Sequence, residues 1–188
     1  LDPDFRIALN LSASQFLRPD FVERMLDRLT VLGIPGQRLR LEITEATVLD
    51  DLGKAAERMN RLREHALEFS MDDFGTGYSS LSYLRALPFS EVKIDKSYVG
   101  QFLINRHDTA ILRAVLSLCA SLDMRLVAEG IETEQQWRAL SAEGCDRFQG
   151  FLFSNPSPAG SDPSGLVHSR WRPQVQKPMP SACGDPGC

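Results

Sequence analysis

Apolar residues fall into short runs separated by longer amphipathic stretches, a rhythm that predicts alternating strands and helices. Six runs read as strands, at residues 5–10, 39–44, 67–71, 91–94, 125–128 and 146–149. Pro19-Asp20 opens a helix with Val22, Met25, Leu26 and Leu29 on one face and Gly33 after its end. A second helix runs over about 50–65, with Leu52, Ala55, Ala56, Met59 and Leu62 inward. Asp108 is placed to cap a third, whose apolar stripe is Ile111, Leu112, Val115, Leu116 and Cys119. A fourth covers 134–142. Strict strand-then-helix alternation implies parallel strands joined by crossover helices, an α/β fold. There is no repeat beyond this rhythm.

The rhythm stops near residue 160. Residues 161–188 carry Pro163, Pro173, Pro178, Pro180 and Pro186 among Ser, Gly and Gln. Such a segment cannot bury enough apolar surface to offset the entropy of ordering, so a disordered tail is expected there. The domain is therefore expected at 1–160. Cys119 and Cys145 sit among apolar or helical residues and read as core, as does Trp137. Cys183 and Cys188 fall in the tail without partner His or Cys pairs to suggest a metal site.

Composition narrows the class. The 188 residues are 43% hydrophobic and 24% charged, an ordinary balance for a chain with a sizeable core. A net charge of −4 gives no support to non-specific binding of DNA or a membrane surface. Residues 110–120 are the nearest approach to a bilayer span, and Arg113 interrupts them. Leu1-Asp2-Pro3-Asp4 has neither the basic nor the apolar region of a signal peptide, so a cytoplasmic location is expected.

Polar residues at the strand ends change the picture most. Strand one ends in Asn10, strand two carries Glu42, and strand three runs into Asp72-Asp73. Lys93 lies on strand four, Glu129 follows strand five, and strand six ends in Gln149. In a parallel (β/α) barrel these ends converge on one mouth, where the active site forms. Singly, each has an ordinary explanation. Glu42 could face solvent, Asp72-Asp73 could serve the turn beginning Phe74-Gly75, and Lys93 could reach the surface. Six equivalent positions together argue for a site. Converging carboxylates repel one another, and a divalent cation with oxygen ligands, magnesium or manganese, resolves the repulsion.

Six motifs in order carry a resemblance. They are Asn10-Leu11-Ser12, Leu41-Glu42-Ile43-Thr44-Glu45, Asp72-Asp73-Phe74-Gly75-Thr76-Gly77-Tyr78-Ser79-Ser80, Val92-Lys93-Ile94-Asp95, Ala128-Glu129-Gly130-Ile131-Glu132-Thr133 and Gln149-Gly150-Phe151. Residues 1 to about 160 closely resemble the EAL domain, the bacterial cyclic-di-GMP phosphodiesterase. The resemblance implies a TIM-like (β/α) barrel that hydrolyses cyclic di-GMP to linear pGpG with two metal ions, Mg2+ or Mn2+. It implies metal ligands at Asn10, Glu42 and Asp72, with Asp73 and Glu129 at or near the second metal. Lys93 would orient or activate the attacking water, and Gln149 would hold the water or the ligand edge. Glu45 would brace the Phe74–Ser80 loop, and Glu132 would support the site from behind. That loop resembles the one that couples dimerisation to metal binding in the family, which implies a homodimer. An upstream sensory or GGDEF-type domain in a longer parent protein is the implied partner.

The chain departs from the family at one point. The Glu-Ala-Leu strand that names the family, whose Glu is itself a metal ligand, does not occur in these residues. About six of eight strands are then present, the first two being absent, and six strands cannot close as eight do. The strands at 5–10 and 146–149 are expected to expose edges. The 188 residues alone are expected to show little hydrolysis. The alternative reading is a catalytically inactive cyclic-di-GMP-binding or regulatory module.

Overall fold

The computed structural model describes residues 5–49, 51–75, 81–102 and 105–156, with backbone only at 81, 82 and 101. Thr76, Gly77, Tyr78, Ser79 and Ser80 lie outside the described residues, as do the expected tail at 161–188 and its Cys183 and Cys188. The chain divides into two units, 1–152 and 153–188. Residues 153–156, the described part of the second, hold no helix or strand.

The first unit follows the predicted alternation. Its elements are β1 (Ile7–Asn10), α1 (Ala13–Phe16), α2 (Phe21–Leu32), β2 (Leu39–Thr44), α3 (Glu45–Leu49), α4 (Leu52–Glu64) and β3 (Glu68–Phe74). Then come α5 (Leu81–Ala86), β4 (Glu91–Ile94), α6 (Lys96–Gln101), α7 (Arg106–Ser121), β5 (Arg125–Ala128), α8 (Glu134–Ala142) and β6 (Arg147–Phe148). All six strands are parallel and lie in sequence order, β1-β2-β3-β4-β5-β6. Each pairs with its chain neighbour, the arrangement that a helix after every strand produces. Among the described residues β1 pairs only with β2 and β6 only with β5, so the curled sheet is open.

Local chemistry sets the element boundaries. Ser12 and Gln15 form a reciprocal cap at the start of α1, and Thr133 and Gln136 form another at α8. Asp51 Oδ1 accepts from the Lys54 N–H (3.0 Å) and starts α4, which matches the helix expected over about 50–65, while the short α3 before it was not expected. Asn105 Oδ1 accepts from the His107 N–H (2.9 Å) and starts α7. Asp108 therefore sits inside the first turn instead of capping it, where its charge still complements the helix dipole. Ile111, expected on the buried stripe of α7, is 41% exposed, while Leu112, Val115 and Cys119 are buried.

Strand alternation separates two faces. Leu39, Leu41 and Ile43 of β2, Phe69 and Met71 of β3, Val92 and Ile94 of β4, and Leu126 and Ala128 of β5 are buried under the helices. Each fully buried aliphatic or aromatic side chain contributes about 1.5–3 kcal/mol. Cys119, Cys145 and Trp137 belong to this core, and burial pushes the Cys119 thiol up to about 11. The opposite face is polar. Arg40 and Glu42, Glu91 and Lys93, and Arg147 and Gln149 line a cavity of about 400 Å³ with Ala8 and Val127.

Candidate active site

The concave face carries two layers of charge. Nearer the N-terminal ends of the strands, Arg40 donates to Glu91 Oε2 (2.6 Å) and Glu68 Oε2 (2.8 Å). Arg125 also pairs with Glu68, and Arg6 reaches Glu68 Oε1 at 3.1 Å. Ser70 Oγ donates to Glu91 Oε1 (3.2 Å). Burial alone would raise the Glu68 carboxyl, but Arg40 and Arg125 outweigh it and hold the group down at about 2. The opposed charges cross-link β2, β3, β4 and β5 below the site. Arg40, Glu68, Glu91 and Arg125 lie at or near strand starts, outside the strand-end pattern. Their signal was the two-residue spacing from Glu42, Ser70, Lys93 and Val127, which fixes a shared face.

Lys93 centres the upper layer. It is only 4% exposed, and its Nζ lies 2.6 Å from Glu129 Oε1, 2.8 Å from Glu42 Oε2 and 3.2 Å from Asp72 Oδ1. Burial would lower the Lys93 ammonium, but hydrogen bonds to Glu129 and Glu42 raise it well above the usual lysine range. Burial pushes the Glu129 carboxyl up; Lys93 pulls it back, while Asp72 and Glu42 add repulsion. Lys93 and Glu129 thus shift the same way because one ammonium serves several carboxylates.

A bulge brings in the fourth carboxylate. Met71 pairs with Val92 and Phe74 with Ile94, so Asp72 and Asp73 together oppose the single residue Lys93. In a regular strand consecutive side chains would point to opposite faces. Here Asp73 adopts φ 53°, and one oxygen each from Asp72, Asp73 and Glu129 lie within 4.8 Å of one another. Burial raises the Asp73 carboxyl, with further repulsion from Asp72 and Asp95 and partial relief from Lys93 and Lys96. Asp72 Oδ1 is buried and lacks a hydrogen bond of good geometry, although Lys93 stands at 3.2 Å. A divalent cation fits this donor set: it would satisfy that oxygen and neutralise carboxylates that one lysine cannot.

The remaining expected residues fall around this centre. Asn10 ends β1, is exposed, and pairs in register with Glu42. Gln149 is exposed and shares the cavity with Lys93 and Glu42; its backbone N–H donates to Ala128 O (2.9 Å) and its carbonyl accepts from Ile131 N–H (3.1 Å). Gly150 permits that approach, since a Cβ there would stand 2.2 Å from the Ile131 carbonyl oxygen. Glu45 is buried at the start of α3, next to Thr44, which pairs with Asp72. Glu132 is exposed, and its backbone N–H donates to Gln136 Oε1 (3.0 Å) at the head of α8. Phe74 is buried, and Gly75 closes the described part of the loop with φ 96°.

Comparisons with known proteins place this geometry. The family model for the EAL domain matches residues 1–156. An uncharacterized protein of Synechocystis sp. is 45% identical over 156 residues, 83% of this chain and 22% of that protein. The bifunctional diguanylate cyclase/cyclic di-GMP phosphodiesterase MucR of Pseudomonas aeruginosa is 40% identical over 83% of this chain and 23% of its own length. The chain thus spans under a quarter of these two relatives. A structure of the MucR phosphodiesterase in complex with c-di-GMP superposes with a TM-score of 0.80 at 40% identity, covering 84% of this chain and 64% of that one. A Klebsiella pneumoniae BlrP1 complex with manganese and cy-diGMP superposes with a TM-score of 0.76 at 34% identity, covering 82% and 40%.

Proposed function

The chain belongs to the EAL domain family, and from that premise we propose that its strand ends form the catalytic face of a cyclic-di-GMP phosphodiesterase. The observation that carries the reading is the cluster around Lys93: Glu42, Asp72 and Glu129 surround its ammonium, and Asp72, Asp73 and Glu129 are spaced to share a cation. Relatives bound to cyclic di-GMP, one of them with manganese, support the substrate and the need for a divalent metal. Magnesium or manganese is the proposed metal. Such ions, when bound, supply a water of lowered pKa and clamp the oxygens of an in-line displacement.

The residues divide the work. Asp72, Asp73 and Glu129 hold the cations, with Asn10 and Glu42 completing the donors on β1 and β2. Lys93 orients the attacking water and offsets the negative charge that develops on the phosphate. Gln149, at the rim of the same cavity, holds the water or the edge of the nucleotide. Glu45 braces the turn after β3, and Glu132 supports the β5 end. The water oxygen bonds to phosphorus as one P–O3′ bond breaks, leaving linear pGpG with a 5′ phosphate.

The proposal extends to the setting: a domain over 1–160 followed by a disordered tail at 161–188, a cytoplasmic location, a homodimer, and a longer parent protein with a sensory or GGDEF-type domain upstream. The diguanylate cyclase half of MucR supports the last of these.

Binding tests the site itself. Calcium is the probe, since a cy-diGMP complex of BlrP1 contains it. Equilibrium dialysis of the 188-residue chain with labelled cyclic di-GMP and Ca2+ should show binding that EDTA abolishes and Asp72→Asn weakens. Binding indifferent to both, or none, overturns the reading.

A further inference from the structure

The bulge in β3 brings two consecutive aspartates to one site, and its geometry is costly. Asp73 holds φ 53° and Gly75 holds φ 96°, left-handed conformations on either side of the buried Phe74. For a non-glycine residue such as Asp73 this conformation is sterically strained, so something nearby must hold it. The ladder to β4 supplies one hold, since Phe74 returns to register with Ile94. A second hold comes from α6.

Tyr98 sits in the first turn of α6, four residues after the end of β4. Asp95 starts that helix by accepting from the Ser97 N–H (2.9 Å), so the position of Tyr98 is tied to β4. The Tyr98 hydroxyl donates to the Gly75 carbonyl at 2.6 Å. Its ring lies against the Gly75 Cα: a Cβ on residue 75 would stand 2.8 Å from Tyr98 Cε2 and 3.0 Å from its Oη. The half-buried ring and its hydroxyl thus grip the chain two residues past Asp73, and only glycine fits under that grip.

We propose that Tyr98 is a positioning residue for the metal site: its hydroxyl latches Gly75 and so holds the β3 bulge in the one arrangement that turns both Asp72 and Asp73 toward the cation. This rests on the metal-site reading above and adds a residue to it. In this role Tyr98 is not itself a ligand. It acts through the backbone, as outer hydrogen-bond partners of metal ligands commonly do. Without the hydroxyl the strained φ at Asp73 relaxes, the strand reverts toward regular alternation, and Asp73 turns away.

The test is Mn2+ binding by electron paramagnetic resonance on the full 188-residue chain, comparing wild type with Tyr98→Phe. The ring is kept, so the melting temperature without metal should change little. Mn2+ affinity should fall about tenfold, within the range found when outer partners of ligands are removed. Gly75→Ala, which forces a Cβ into the Tyr98 ring, should lower the affinity in the same direction. Wild-type affinity in Tyr98→Phe overturns the latch while leaving the metal site standing. A fall in melting temperature at unchanged affinity also overturns it, by making Tyr98 merely structural. A wild-type chain that takes up no Mn2+ overturns the site on which the latch rests.

Discussion

Lys93→Met is the perturbation that most exposes the electrostatics of the site. Methionine keeps most of the volume and removes the charge. Three carboxylates within 2.6–3.2 Å of the ammonium then remain on a buried face, with Asp73 beside them. Removing one partner of a buried ion pair costs about 3–5 kcal/mol, chiefly because the other charge is left uncompensated. For a domain of this size that lowers the melting temperature by the order of 10 °C. Divalent cation narrows the gap. Mn2+ at about a hundred times its Kd adds about 2.7 kcal/mol to any form that binds it. The variant binds more tightly because no ammonium competes for the carboxylates, so Mn2+ should raise its melting temperature more than that of the wild type. Acid should also narrow the gap, since burial raises the Glu129 and Asp73 carboxyls and protonation removes their share of the repulsion. Circular-dichroism melts with EDTA and with Mn2+, at neutral pH and near pH 5, provide the comparison. A variant as stable as wild type at neutral pH without metal, or one that gains less from Mn2+, refutes the reasoning.

Other predictions follow from the neighbouring layers. Glu68 is held at about 2 when folded against an ordinary glutamate value near 4.3. Its stabilisation is complete above that ordinary value and is lost as pH falls toward about 2. Glu68→Gln should flatten the acid limb of a stability profile by about 1–2 kcal/mol after allowance for solvent screening, as read by urea melts between pH 2.5 and 6. An unchanged acid limb counts against the ion lattice as a source of stability. Gly150→Ala should destabilise by about 1–3 kcal/mol, because the new Cβ meets the Ile131 backbone at 2.2–2.3 Å. A chemical melt indistinguishable from wild type would show that the two loops need not touch.

The sequence exposed the site more clearly than the architecture around it. Strand ends were legible because polar residues interrupt apolar runs at equivalent places, and Lys93, Glu42, Asp72 and Glu129 do meet. The bulge was not legible: Asp72-Asp73 reads as turn chemistry, and only the pairing with β4 shows that both oppose Lys93. Arg40, Glu68, Glu91 and Arg125 escaped notice because short strands hide a two-residue period, and a charge near a strand start reads as surface. Helix starts shifted where two capping residues competed. Asn105 displaced Asp108 because its side chain reaches the His107 N–H two residues on. The role of Tyr98 depends on an approach to Gly75 across a gap of 23 residues, a long-range contact that no local pattern carries.

The central claim is that the Lys93 cluster catalyses phosphodiester hydrolysis. Its most direct measurement joins these residues behind the first two strands and intervening helix of a family member, the Glu-Ala-Leu strand among them, adds cyclic di-GMP with Mg2+ or Mn2+, and quantifies pGpG by chromatography. We expect metal-dependent pGpG formation that falls by at least a hundredfold in Glu42→Ala and in Lys93→Ala, the scale of losing one electrostatic group at a reacting centre. Full turnover in either variant, or turnover that persists in EDTA, would contradict the account.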